Sequence, residues 1–132
     1  MRCVGVALGL VLAATVAGHA QAMSEFPFGK ELFLDVRPMK GSKRIPIIEV
    51  SENGAAAIDL WCNSVQAQLV VLNDTVTVMT GPQTNRACPP ERARGDQDII
   101  DALAQVTRWR REGDSVLLIG DGRTLRFRLP TN

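Results

Sequence analysis

Few side chains in this 132-residue chain have the types and spacing for chemistry. There is one histidine, His19, three cysteines, Cys3, Cys62 and Cys88, and an acidic cluster at Asp96, Asp98 and Asp101. An imidazole would serve as base or zinc ligand, a thiolate as nucleophile, and three carboxylates as an acid–base set or a calcium loop. Each option lacks a part. An EF-type calcium loop opening at Asp96 needs Gly at its sixth position and Glu at its twelfth, where Asp101 and Thr107 stand. A serine nucleophile without histidine falls back on Ser-x-x-Lys, and none of Lys30, Lys40 and Lys43 follows a serine at that spacing. No Gly-rich phosphate loop follows a strand. The reading is therefore a non-enzyme with no metal and no cofactor.

The histidine is itself expected to be lost. Arg2 followed by the apolar run Val4 to Ala17 and the small-x-small site Ala20-Gln21-Ala22 reads as a secretory signal peptide over 1–22, cut before Met23. The run is about 14 residues, short of the roughly 20 that a spanning helix needs, and no later stretch is longer and as apolar. Residues 23–132 then form a single domain that does not span a membrane, placed in the periplasm or secreted. Cys62 and Cys88 would remain in an oxidising compartment, where a lone pair bridges. Closing about 27 residues this way stabilises the fold by roughly 3 to 4 kcal/mol in the chain-entropy model.

Removal of Arg2 from the 15 basic side chains leaves a balance with the 14 acidic ones. Nothing in that balance suggests nucleic acid, and a monomer is expected. The arginines nevertheless gather late. Arg108, Arg110, Arg123, Arg126 and Arg128 form a possible binding face for an anionic ligand or an envelope protein, against the alternative of a plain solvated strand face.

The elements that position these residues follow from pattern. Glu31 to Val36 and Ile45 to Val50 read as strands, with Phe33 packed inward or at an edge. Asn53-Gly54 is a tight-turn signal, and Ala55 to Trp61 is its partner strand. Gln66 to Leu72 and Thr75 to Thr80 pair about Asn73-Asp74, with Val76 and Val78 sharing one face. Gly81 to Arg94 reads as a Pro- and Arg-rich connection. A helix is expected to open at Asp96 as N-cap, with Asp98 and Asp101 near its positive end and Ile99, Ile100, Leu103 and Val106 on one face. Three strands follow, turning at Glu112-Gly113-Asp114 and Asp121-Gly122, and in the last Leu125, Phe127 and Leu129 alternate with Arg126 and Arg128. Trp109 caps the same core. The class is α+β: a curved antiparallel sheet of about eight short strands, partly barrel-like, with one packed helix.

Trp61-Cys62-Asn63, followed by Thr84-Asn85-Arg86-Ala87-Cys88-Pro89, then Leu103 to Trp109 and Gly122-Arg123-Thr124-Leu125-Arg126-Phe127, resembles the META-domain family of HslJ-like bacterial heat-shock proteins. The resemblance covers about 45–130. It departs at Trp61, where a small residue is usual, and in the N-terminal segment, where Phe33 stands for the usual Trp. It implies a compact curved sheet with a packed helix, an envelope location, a loose link with stress tolerance and no catalytic residues. It also places Asn63 and Thr84 at motif positions, where they would hydrogen-bond the loop beside the bridge. Two functions fit: a non-enzymatic envelope protein with a binding or stress-tolerance role, or a secreted inhibitor of a hydrolase (a protease or lysozyme) acting through the loop anchored at Cys88.

Overall fold

A computed structural model describes residues 25–131, so the signal peptide expected over 1–22 lies outside the described residues. Eight strands run β1 (Glu31–Leu34), β2 (Ile47–Val50), β3 (Ala55–Asp59), β4 (Ser64–Leu72), β5 (Thr75–Gln83), β6 (Val106–Glu112), β7 (Ser115–Gly120) and β8 (Thr124–Arg128), with α1 (Pro90–Ala104) between β5 and β6. Each strand pairs antiparallel with the next, and β1 pairs with β8, so the sheet is a closed barrel. The curved antiparallel sheet of about eight strands with one helix is as expected from sequence, and its barrel-like character is full closure.

Tight turns explain the meander. Asn53-Gly54 joins β2 to β3 with Gly54 at φ +87°. The Asn53 side chain accepts the Ala55 N–H at 3.0 Å and the Ser51 hydroxyl. Leu69 N–H donates to the Gly54 carbonyl at 2.8 Å, so β4 lies against this turn. Asn73 supplies the positive φ at the β4–β5 turn, and Gly113 and Gly122 do so at the last two hairpins.

Alternation fills the barrel. Leu32, Leu34, Ile48, Val50, Ile58, Leu69, Val76, Val116, Leu118, Leu125 and Phe127 are all buried in one cluster. Phe33, with the opposite parity, faces out and is half-buried beside Arg128, its partner across the β1–β8 ladder. One mouth is closed by α1, whose Ile99, Ala102 and Leu103 join the cluster. The other is closed by Phe26, whose ring meets Trp109 edge-on with centroids 5.1 Å apart. The Trp109 indole N–H donates to the Asn73 carbonyl at 2.6 Å, so Trp109 caps the core as its position suggested. β5 and β6 are joined through one register pair, Thr75 with Arg108, and by Trp109 N–H donating to the Asp74 carbonyl at 2.9 Å.

The helix differs from the expectation. It opens six residues before Asp96, at Pro90, directly after Pro89, and no side chain caps it. Proline fits the first helical position because its φ is already helical and its missing N–H has no helical acceptor there. The Pro-Pro pair starts the helix instead of prolonging a loop. Asp96 is an interior helical residue, and Val106 belongs to β6. The Gly81–Arg94 connection shrinks to the six residues 84–89, since β5 runs on to Gln83 past an irregularity opposite Val65 to Ala67.

Candidate functional site

Two groups of singled-out residues assemble in space. The first surrounds the crosslink. Cys62 and Cys88 are bonded with Cα atoms 6.0 Å apart, joining the β3–β4 turn to the connection that precedes α1. Asn63, beside it, is buried. Its side-chain Oδ1 accepts the Thr84 hydroxyl at 2.9 Å and the Arg86 N–H at 2.8 Å, and its side-chain Nδ2 donates to Cys88 Sγ at 3.2 Å. The Thr84 hydroxyl oxygen in turn accepts the Ser64 N–H at 2.9 Å. Asn63 and Thr84 thus clamp the start of β4 to the end of β5 and hold the Arg86 backbone of the connection beside the bridge.

Asp96 completes this node from the helix. It is 1% exposed. One carboxylate oxygen accepts the Cys62 N–H at 3.1 Å and the other the Asn63 N–H at 2.8 Å. The turn between β3 and β4 therefore has its free N–H groups satisfied by a side chain from 33 residues away. Gly95, the residue before Asp96 in α1, lets Met39 and Trp61 close on the helix; a Cβ there would lie 2.5 Å from Met39 Cε and 2.7 Å from Trp61 Cδ1. A large residue before Cys62 and a glycine in mid-helix thus fit each other. Among the described residues no three His, Cys, Asp or Glu side chains converge as metal ligands.

The second group is the arginine meander. Registers place Arg108 beside Ile119 and Thr124, Arg110 beside Leu117 and Arg126, and Glu112 beside Ser115 and Arg128 on the outer face of β6–β8. Leu117 points outward yet is buried, between the rows that carry Arg110 and Arg126. Guanidinium stems covering an aliphatic side chain while their heads stay wet account for this. Glu112 links the two, at 2.8 Å from Arg110 and 3.2 Å from Arg126. Arg108 pairs with Asp74 at 3.4 Å and Arg128 with Asp35 at 3.0 Å. Arg123 stands apart at the β7–β8 turn, donating to the Asp98 carbonyl at 3.1 Å. Four of the five arginines thus share one face, but each of the four has an acidic partner. The face is an ordered lattice of paired charges around Leu117, not a field of free cations.

Two open grooves lie near it, the first beside Phe26. One, of about 520 Å³, is lined by Phe26, Phe28, Lys30, Glu52, Arg111 and Asp114 among others; the second, of about 490 Å³, runs over Phe33, Ile45, Arg128 and Leu129. No helix among the described residues is long and apolar enough to cross a membrane.

Comparison with known proteins agrees with this architecture. A search of curated proteins returned no match. A solved structure described as an NMR structure of a protein superposes with a TM-score of 0.60 at 16% identity, covering 76% of this chain and 88% of its own; at that identity it speaks for the fold alone. The family model of the META domain matches residues 29–131, a span that takes in all eight strands and the helix. Together with the Cys-Asn, Thr and Cys residues clamped around one node, that match means that the chain belongs to the META domain family.

Proposed function

We propose that the protein is a non-enzymatic recognition domain of the cell envelope, exported by the leader 1–22 and stabilised there by the Cys62–Cys88 bridge, with a role in stress tolerance. The carrying observation is where the polar motif residues go. Asn63, Thr84 and Asp96 spend their hydrogen-bonding capacity on backbone and on one another, which leaves the outer surface as the part free to act. A barrel with side chains filling its interior offers recognition by its outer faces. The β6–β8 face suits a protein partner, because its arginines are held in place by acids and stand beside Leu117 and the half-buried Ile119.

The test pairs the natural protein with Arg110→Ser/Arg126→Ser in retention of components from its own envelope extract, after mass spectrometry has established the mature start. The expected result is an N-terminus at Met23, no free thiol, and a component retained by the natural protein and lost by the variant. A stoichiometric hydrolase whose turnover stops on binding would make the protein an inhibitor. In that case the bridged connection 84–89, pinned by Asn63 and Cys88, is the segment to substitute next. An uncut leader or reduced cysteines in the native compartment would overturn the envelope reading.

A further inference from the structure

Among the described residues, a group of cations without ion pairs lies away from the meander. Residues 35–46, between β1 and β2, carry Arg37, Lys40, Lys43 and Arg44 within eight positions. They stand at the mouth of the barrel that α1 closes. Only Arg44 has an acidic partner, Asp59 at 3.9 Å; among the described residues Arg37, Lys40, Lys43 and the neighbouring Arg92 make no ion pair. Asp35, the acid nearest in sequence, is engaged by Arg128. This is the reverse of the meander, where the arginines are neutralised in place.

The segment is also fixed. Ser42 N–H donates to the Met39 carbonyl at 2.8 Å, closing a turn with Lys40 at its first corner and Gly41, φ +80°, at its second, as a type II turn requires. The Arg92 guanidinium of α1 donates to the Gly41 carbonyl at 2.9 Å. Met39 lies against Gly95, and Leu34 N–H donates to the Pro46 carbonyl at 2.9 Å. Apolar side chains alternate with the charges: Val36 is 40% exposed, and Met39 and Ile45 are partly so.

We infer that this pole is a membrane-surface contact, which docks the protein on a bilayer of anionic phospholipid without crossing it. Free cations on an exposed loop attract the phosphates of a charged bilayer, and long basic side chains interleaved with apolar ones suit the headgroup boundary. A bilayer fits better than a discrete small anion because Arg37, Lys40, Lys43 and Arg44 are all exposed and follow one another along a single loop. The site is separate from the β6–β8 face, so either can fail without the other.

The test is cosedimentation of the purified protein with vesicles of phosphatidylcholine, with and without phosphatidylglycerol. Binding is expected only with the anionic lipid, and is lost at ~1 M salt, where screening reaches about 3 Å. Arg37→Gln/Lys40→Gln/Lys43→Gln should weaken it about a hundredfold, at roughly fivefold per cation, with an unchanged Tm. Lys40→Gln alone, at an exposed turn corner, should give about one fivefold step and guards against a folding defect in the triple variant. Arg110→Gln/Arg126→Gln should bind as the natural protein does. Equal binding to neutral vesicles, no binding at low salt, a preference for soluble polyanions over vesicles, or an equal loss in the meander variant would each overturn the inference.

Discussion

Replacing Asp96 by Asn tests the central node with almost no change of shape. The carboxylate accepts two backbone N–H groups, from Cys62 and Asn63, in a position 1% exposed. An amide keeps one acceptor and turns the other into a donor, so one of the two N–H groups then faces an N–H. The surviving oxygen will go to Asn63, whose bond is the shorter and more buried, and the Cys62 N–H is stranded. The loss of one charge-assisted bond and the stranding of one donor sum to about 3 kcal/mol. That is a large share of the roughly 5 to 15 kcal/mol that holds a domain together. At ~4 °C per kcal/mol, the melting temperature falls by about 12 °C. Asp98→Asn and Asp101→Asn, at exposed helical positions, should stay within about 0.5 kcal/mol of the natural protein. Thermal unfolding followed by far-UV circular dichroism gives the energies, and amide exchange gives the location, with the Cys62 N–H losing protection first. If Asp96→Asn melts with Asp98→Asn, the buried carboxylate does not hold the β3–β4 turn and the account of the node is wrong.

Three further outcomes are expected. Cys62→Ser and Cys88→Ser should each cost about 3 kcal/mol, and the double variant no more than either; additive losses in urea titrations would refute a shared bridge. Gly95→Ala should destabilise by about 1 kcal/mol or more despite the better helix propensity of alanine, because the new methyl meets the Trp61 ring, and a raised melting temperature would contradict that packing. Trp109→Phe keeps the ring contact with Phe26 but removes the donor to the Asn73 carbonyl, so the urea midpoint should drop by the equivalent of about 1 kcal/mol.

What was legible in the sequence is what is local. Asn53-Gly54, Asn73-Asp74 and Asp121-Gly122 mark hairpins because each turn needs a residue that tolerates positive φ, and the alternation in Thr124–Arg128 reports one wet and one dry side. The helix start was missed because Pro89-Pro90 forbids a strand and favours a first helical turn equally well. Asp96 did carry a signal. It stands three and seven residues before Ile99 and Leu103, on the buried stripe, where an N-cap would not fall and where a carboxylate needs a partner from another element. That partner is the backbone of a distant turn, so no local pattern could name it. Strand alternation puts Arg108, Arg110, Arg126 and Arg128 on one face, while Arg123 falls at a turn; the acids of Arg108 and Arg128 come from the β4–β5 turn and the exit of β1, which only the folded register brings near.

The ladder between β1 and β8, pairing Phe33 with Arg128 and Leu34 with Phe127, joins nearly the two extremes of the domain. No ribosome-bound fragment lacking the final hairpin can seal this cylinder; it would carry two raw margins of unpaired amides until the last residues emerge. Folding is thereby postponed to the end of synthesis, a delay that suits any polypeptide obliged to remain threadable while it is being made.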